Sequence, residues 1–229
     1  MTQLELLNMH VDALFAKDKN DRLVSVNEPW DNTKPAPLLY IGKTLKSESV
    51  LYARYDVDDE IFSRASALIQ SGVMEPQAFA ELFDAPYLCE EVCYSIPAQH
   101  RAYKGCVTLT QDNLHDFDLH QFGWLTEEID VAQPCCAFLD GRKVVSVCRS
   151  VRIAKAHEAG IETAMEYRGN GYAKEVLATW SMEVFKLGKT PLYSTLKTNL
   201  SSQRVASKSG LSLFATGFSI YTKNRAEDV

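Results

Sequence analysis

Leu4, Leu7, Val11, Leu14 and Phe15 recur at spacings of three and four near the start of the chain. That period predicts an amphipathic helix over residues 2–16 with its apolar stripe turned to a core. Strand-like runs follow at 22–26, 37–41 and 49–55, the first two separated by an Asn-, Asp- and Pro-rich stretch at 27–35 that suits a surface turn. Together they predict a small sheet behind one helix. Asp58 and Asp59 can cap a helix over 59–71 that Gly72 stops, and a short helix is expected over 76–83. Between 84 and 134 short apolar stretches at 107–109 and 122–125 alternate with His, Asp and Gln, no period is sustained, and the region reads as helices and loops.

A clearer pattern begins at Cys135. In CCAFLDGRKVVSVCRS the Asp140-Gly141 pair lies between two apolar runs, a strong hairpin signal, and a third strand is expected over 155–164. Then comes a glycine loop, Glu166-Tyr167-Arg168-Gly169-Asn170-Gly171-Tyr172-Ala173, and a helix whose apolar face is Ala173, Val176, Leu177, Trp180, Val184 and Leu187, ended by Gly188. The pattern breaks over 95–102. The chain is therefore divided into an N-terminal α/β region, 1–100, and a second part, 101–229.

Composition narrows the class. With 229 residues, of which 46% are hydrophobic and 24% charged, the chain can bury a core without disulfides or a structural metal. A net charge of −6 argues against a polyanion-binding surface, so nucleic acid is not an expected partner. No apolar run approaches the roughly 18 residues that span a bilayer, and the acidic start lacks the basic region of a signal peptide, so no membrane partner and a cytoplasmic location are expected. Six cysteines lack a repeated C-x2-C pair. Cys89 and Cys93 are four apart with no His at a matching short spacing, and no metal is expected.

The strand, glycine loop and helix carry the candidate chemistry. Glycines leave backbone N–H groups uncovered and the helix start adds free donors, so the loop suits a phosphate or pyrophosphate as well as it suits a plain tight turn. The Walker pattern is absent. The dinucleotide fingerprint wants a small residue where Lys174 stands and an acid after the next strand, which here continues as Lys197-Thr198-Asn199.

What fits is R-x-x-G-x-A, read as Arg168, Gly171 and Ala173, followed in order by the strand PLYSTL and the segment from Asn199 through Ser202, Val205, Ala206 and Lys208 to Gly210-Leu211. On these two linked motifs the sequence resembles the GCN5-related N-acetyltransferase (GNAT) superfamily, in particular a bacterial subgroup with an added N-terminal region. The resemblance implies an α/β (α+β) fold. It would have a mixed, mostly antiparallel sheet with helices on both faces, plus the small N-terminal α/β region. Two central parallel strands, about 155–164 and 191–196, would splay to admit acetyl-CoA as cosubstrate.

The resemblance also implies residue roles. The pyrophosphate would lie on the amides of Arg168, Gly169, Asn170, Gly171, Tyr172 and Ala173, and the pantetheine arm on Thr163, Ala164 and Met165. Asn199 would contact that arm or cap the following helix, and Ser202 would touch the cofactor or bond locally. Where many relatives have a tyrosine acid this chain has Ala206, leaving Tyr193 and Tyr221 as substitutes, each open to a packing role instead. Glu162 is the first candidate base and His157 the second; each could instead be a solvated or structurally bonded strand residue. His10, His100, His115 and His120 have no local context that singles them out.

The activity implied is direct acetyl transfer, in a ternary complex, to a small-molecule or amino-acid-like amine. A silent acyl-CoA-binding or sensing protein and a protein N-terminal or lysine acetyltransferase are the alternatives. The N-terminal region would cover the acceptor side, and strand 211–222 would be a place for a homodimer to pair. The acyl group is open between acetyl and longer chains.

Overall fold

The computed structural model describes residues 1–84, 86–98 and 104–222. In chain order the elements are α1 (Gln3–Leu14), β1 (Phe15–Lys17), β2 (Leu23–Val26), β3 (Leu39–Thr44), β4 (Ser49–Ala53), α2 (Asp59–Gln70), α3 (Pro76–Ala80), β5 (Pro86–Ser95) and β6 (Cys106–Leu109). They continue with α4 (Leu125–Glu128), β7 (Cys135–Asp140), β8 (Lys143–Ile153), β9 (Ala156–Thr163), α5 (Tyr172–Lys186), β10 (Thr190–Leu196), α6 (Leu200–Lys208) and β11 (Ser212–Thr222). Apart from a small β1–β2 ribbon, the strands form one nine-stranded sheet in the order β4-β3-β11-β5-β10-β9-β8-β7-β6. Neighbours are antiparallel except β9 and β10.

Local chemistry explains most of these elements. Thr2 and Glu5 form a capping box at the start of α1, and the Asp58 carboxylate accepts from the Glu60 N–H at the start of α2. In α5 the buried Val176, Leu177, Trp180 and Val184 recur along one face and pack on Cys136, Cys148 and Ala159 of the sheet. Each large side chain so buried contributes about 1.5–3 kcal/mol. α2, α3, α5 and α6 cover this face. The alternate residues of the same strands turn to the other face, where α1 packs against Leu192, Phe214 and Ala215 and α4 against Val144 and Val147.

Three expectations are corrected. The stretch 84–134 holds two strands, β5 and β6, where helices and loops were expected; the adjacent Glu90 and Glu91 hide the alternation in β5, because Glu91 is turned inward to hydrogen-bond partners. Second, β3 and β4 extend the large sheet, and only β1 and β2 stay apart. Third, β11 has β3 on one side and β5 on the other, so it offers no free edge for a second copy; the edges are β4 and β6. Residue 100 falls between two strands of the same sheet, and His100, with residues 99–103, lies outside the described residues.

Candidate functional site

Parallel pairing of β9 with β10 stops early. It runs through Thr190 with Ala156, Pro191 with His157 and Leu192 with Glu158, after which β9 continues to Thr163 and β10 to Leu196 without further mutual pairs. β8 holds β9 on one side and β5 holds β10 on the other, so the two strands part like a V. A cavity of about 520 Å³ opens there, walled by Ile161, Glu162 and Thr163 of β9, Tyr193 of β10, the glycine loop, Asn199 and Ser202 at the start of α6, and Val205 one turn further on.

The loop is built for close approach. Gly169 and Gly171 take φ of 84° and 90°, a conformation that side chains resist, and a Cβ at either would meet nothing within 4 Å. Gly171 is the N-cap of α5 and has no side chain with which to cap it, so the first-turn donors of a 15-residue helix face the cavity side at Tyr172 and Ala173. The loop is braced from behind. Asn170 donates from Nδ2 to the Tyr167 carbonyl, Arg168 from Nε to the Thr163 carbonyl, and Tyr167 from its hydroxyl to Asp140. Arg168, Lys174, Arg204 and Lys208 put positive charge around the opening of a chain whose net charge is negative.

Of the residues expected to hold the cofactor, Thr163, Arg168, Gly169, Gly171, Tyr172, Ala173, Asn199 and Ser202 line the cavity. Ala164, Met165 and Asn170 do not. Ala164 is buried, and its N–H donates to the Val145 carbonyl across β8, while Met165 is 74% exposed. Since strand N–H groups alternate in direction, the amide that points to β8 at Ala164 leaves those of Ile161 and Thr163 pointing into the V. Of 163–165, Thr163 thus has its N–H turned into the V and Ala164 does not, and Ile161, not among the expected residues, has its N–H turned there too. Asn199 does cap α6, accepting from the Ser202 N–H at 3.1 Å and the Ser201 hydroxyl at 2.8 Å, and it also lines the cavity.

The candidate catalytic residues separate. Glu162 lines the cavity from the face opposite α5; its side chain is 47% exposed and stands 3.3 Å from Nη1 of Arg149. Arg149, almost buried, also pairs with Glu128 at 3.0 Å and lies over the rings of Trp124 and Trp30. The expectation of a buried Glu162 is thus replaced by a half-exposed carboxylate held by a fixed guanidinium.

His157 is 4% exposed on the α5 face, away from the cavity wall. There Trp180 Nε1 donates to the Ser150 hydroxyl, which lies 2.9 Å from His157 Nδ1. Burial, with Lys189 adding to it, pushes its pKa down to about 4, so it is placed as a neutral core residue. Tyr221 sits on β11 opposite Tyr87, outside the cavity wall, whereas Tyr193 is on it. Burial raises the Tyr193 phenol above its usual range, and a hydrogen bond with Ser202 partly offsets this. Ala206 is buried in the same cluster as Tyr193.

Nothing in the sequence pattern singled out Ile161, Arg149, Gln121 or Arg204, which the cavity or its wall uses; Lys208 stood out only as part of the second motif. Among the described residues no helix is long and apolar enough to cross a membrane.

Residues 134–216 match the family model described as GNAT acetyltransferase. Among curated proteins none matches this chain. Solved structures similar to it include an acetyltransferase from the GNAT family of Colwellia psychrerythraea, 13% identical over 96% of this chain and 97% of that one, with a TM-score of 0.49. A GCN5-related N-acetyltransferase-like protein from Streptococcus suis is 16% identical over 83% and 86%, with a TM-score of 0.48. A GNAT-family structure from Novosphingobium aromaticivorans is 14% identical over 58% of this chain, with a TM-score of 0.48, and the matched part spans 64% of its length.

Proposed function

We propose, from the match of residues 134–216 to the GNAT acetyltransferase model, that the protein moves an acetyl group from acetyl-CoA to the amine of a small, amino-acid-like acceptor. The observation that carries this reading is the single cleft in which the parted strands β9 and β10, the Gly169–Gly171 loop and the start of α6 meet.

In this reading the first-turn amides of α5 receive the pyrophosphate, and the main chain of Ile161 and Thr163 pairs with the pantetheine amides. The donor enters over the α5 and α6 face. The acceptor comes from the opposite face, past Glu162 and Gln121. The acceptor ammonium first gives a proton to the Glu162 carboxylate, and the neutral nitrogen attacks the thioester carbonyl and forms the C–N bond. The C–S bond breaks, the thiolate takes the proton of the Tyr193 phenol, and the proton still carried by the new amide nitrogen returns to the Tyr193 oxygen. Arg149 acts on Glu162 as a positioning residue, holding the carboxylate at the cleft. Glu162, the acid on this wall among the described residues, favours an acceptor that carries a cationic amine.

Titration calorimetry with acetyl-CoA, CoA and NAD tests the donor, run beside Gly171→Glu, whose charge and bulk fill the open loop. Micromolar binding of acetyl-CoA, lost in a folded Gly171→Glu protein, is expected, with NAD silent. Absence of binding to the wild type overturns the reading. Binding without turnover on a panel of amines and amino acids would instead favour the acyl-CoA sensor, for which the buried Ala206 is the supporting feature.

A further inference from the structure

His10 of α1 and Glu91 and Cys93 of β5 meet on the sheet face that α1 covers, beside the point where the V opens. His10 and Cys93 are fully buried, and the Glu91 side chain is 17% exposed. Their ligand atoms form a triangle: His10 Nε2 to Glu91 Oε1 is 2.9 Å, His10 Nε2 to Cys93 Sγ is 3.5 Å, and Cys93 Sγ to Glu91 Oε1 is 3.8 Å. The circumscribed radius of such a triangle is about 2.0 Å, so an ion slightly off its plane lies about 2.0–2.3 Å from all three atoms, the range of Zn–N, Zn–O and Zn–S bonds.

The surroundings match that geometry. The other imidazole nitrogen, His10 Nδ1, is 2.5 Å from Glu158 Oε1, which fixes the ring with Nε2 turned to the triangle, as in the carboxylate–histidine pairs that orient metal ligands. The Tyr40 hydroxyl donates to Glu91 Oε1 at 2.9 Å and holds that carboxylate in place. Gly217 leaves the room: a Cβ there would be 2.6 Å from the Tyr40 oxygen and 3.0 Å from Glu91 Oε1.

We propose that His10, Glu91 and Cys93 form a zinc site, with a water molecule completing a tetrahedron. One sulfur, one imidazole and one carboxylate suit zinc and disfavour the hard, oxygen-seeking magnesium and calcium. Binding releases the Cys93 thiol proton and any proton on His10 Nε2 to solvent, and no electron moves. The ion ties α1 to β5. Through Glu158, the last residue of β9 before the strands part, it also pins the apex of the cleft. Local spacing could not show this site, because His10 lies 83 residues from Cys93 and β5 is a strand, which brings Cys89, Glu91 and Cys93 to one face.

The test is independent of acyl transfer. Wild-type protein dialysed against metal-free buffer is assayed for zinc by mass spectrometry, then stripped with chelator and titrated with cobalt(II). About one zinc per chain is expected, with an intense visible spectrum of tetrahedral cobalt and a near-ultraviolet thiolate-to-cobalt band. Cys93→Ala should lose the band and most of the zinc, and His10→Ala most of the zinc. Where a variant does not fold, the wild-type cobalt spectrum decides. Wild type without stoichiometric zinc and without the thiolate band overturns the site and leaves a metal-free hydrogen-bonded cluster, as does zinc that survives undiminished in a folded Cys93→Ala protein. Neither result bears on acetyl-CoA binding.

Discussion

Glu162 and Tyr193 face the same cavity, whereas Tyr221 and His157 do not, and this separates three substitutions by their kinetics. Glu162→Gln is expected to lower kcat by about 100-fold and Tyr193→Phe by about 10- to 100-fold, with the dissociation constant of acetyl-CoA nearly unchanged in both. Tyr221→Phe should leave kcat within about threefold of wild type. Steady-state kinetics with the best acceptor from the amine panel, paired with calorimetry, checks all three. His157 makes a different prediction, in stability. Its folded pKa of about 4 lies below the 6.5 of an unperturbed imidazole, so between those values the unfolded chain binds the proton that the folded chain resists. Stability is therefore fully present above about pH 6.5 and falls as pH drops toward 4, on the order of 2–3 kcal/mol in all. Urea midpoints of wild type minus His157→Gln should rise with pH across that window; a flat difference would contradict the assignment.

At the scale of elements, most of the second half was legible and the middle of the chain was not. The Asp140-Gly141 hairpin, the strand over Ala156–Thr163, the loop and the helix Tyr172–Lys186 each follow from turn residues and apolar period acting within a dozen positions. β5 was illegible because Glu91 occupies an inward position for the sake of His10 and Tyr40, partners far away in sequence. The bulge in β8 was illegible too. There the register with β9 shifts between Ser150 and Arg152, and Val151 covers Gly160 so closely that a Cβ on that glycine would lie 2.2 Å from Val151 Cγ1. Gly160→Ala should cost about 1–3 kcal/mol, and Val151→Ala in the same chain should return part of it. A double-mutant cycle by chemical denaturation that shows strict additivity would refute the contact.

For the whole molecule, the decisive feature is the place of β5. It comes from the first hundred residues yet lies between β10 and β11, paired along Leu192–Leu196 on one side and along most of β11 on the other. A chain of residues 101–229 alone would expose one edge of β10, both edges of β11, and the apolar patch that α1 covers around Leu192 and Phe214. It is expected to aggregate or to show no cooperative thermal transition by circular dichroism, while the full chain unfolds cooperatively. A soluble, cooperatively folded 101–229 fragment would mean that the N-terminal region is an appendage.

The sequence by itself determined the pieces whose causes are local: helix caps, the hairpin, the order of strand, glycine loop and helix, and the choice of Gly169 and Gly171 where φ must be positive. Those pieces were enough to suggest the donor cleft. Only the tertiary structure decided which amides of β9 point into the V, that Arg149 holds Glu162 while His157 is buried, and that His10 meets Glu91 and Cys93. Each of these depends on strand register or on contacts between residues far apart in the chain, and no window of neighbouring residues carries that information.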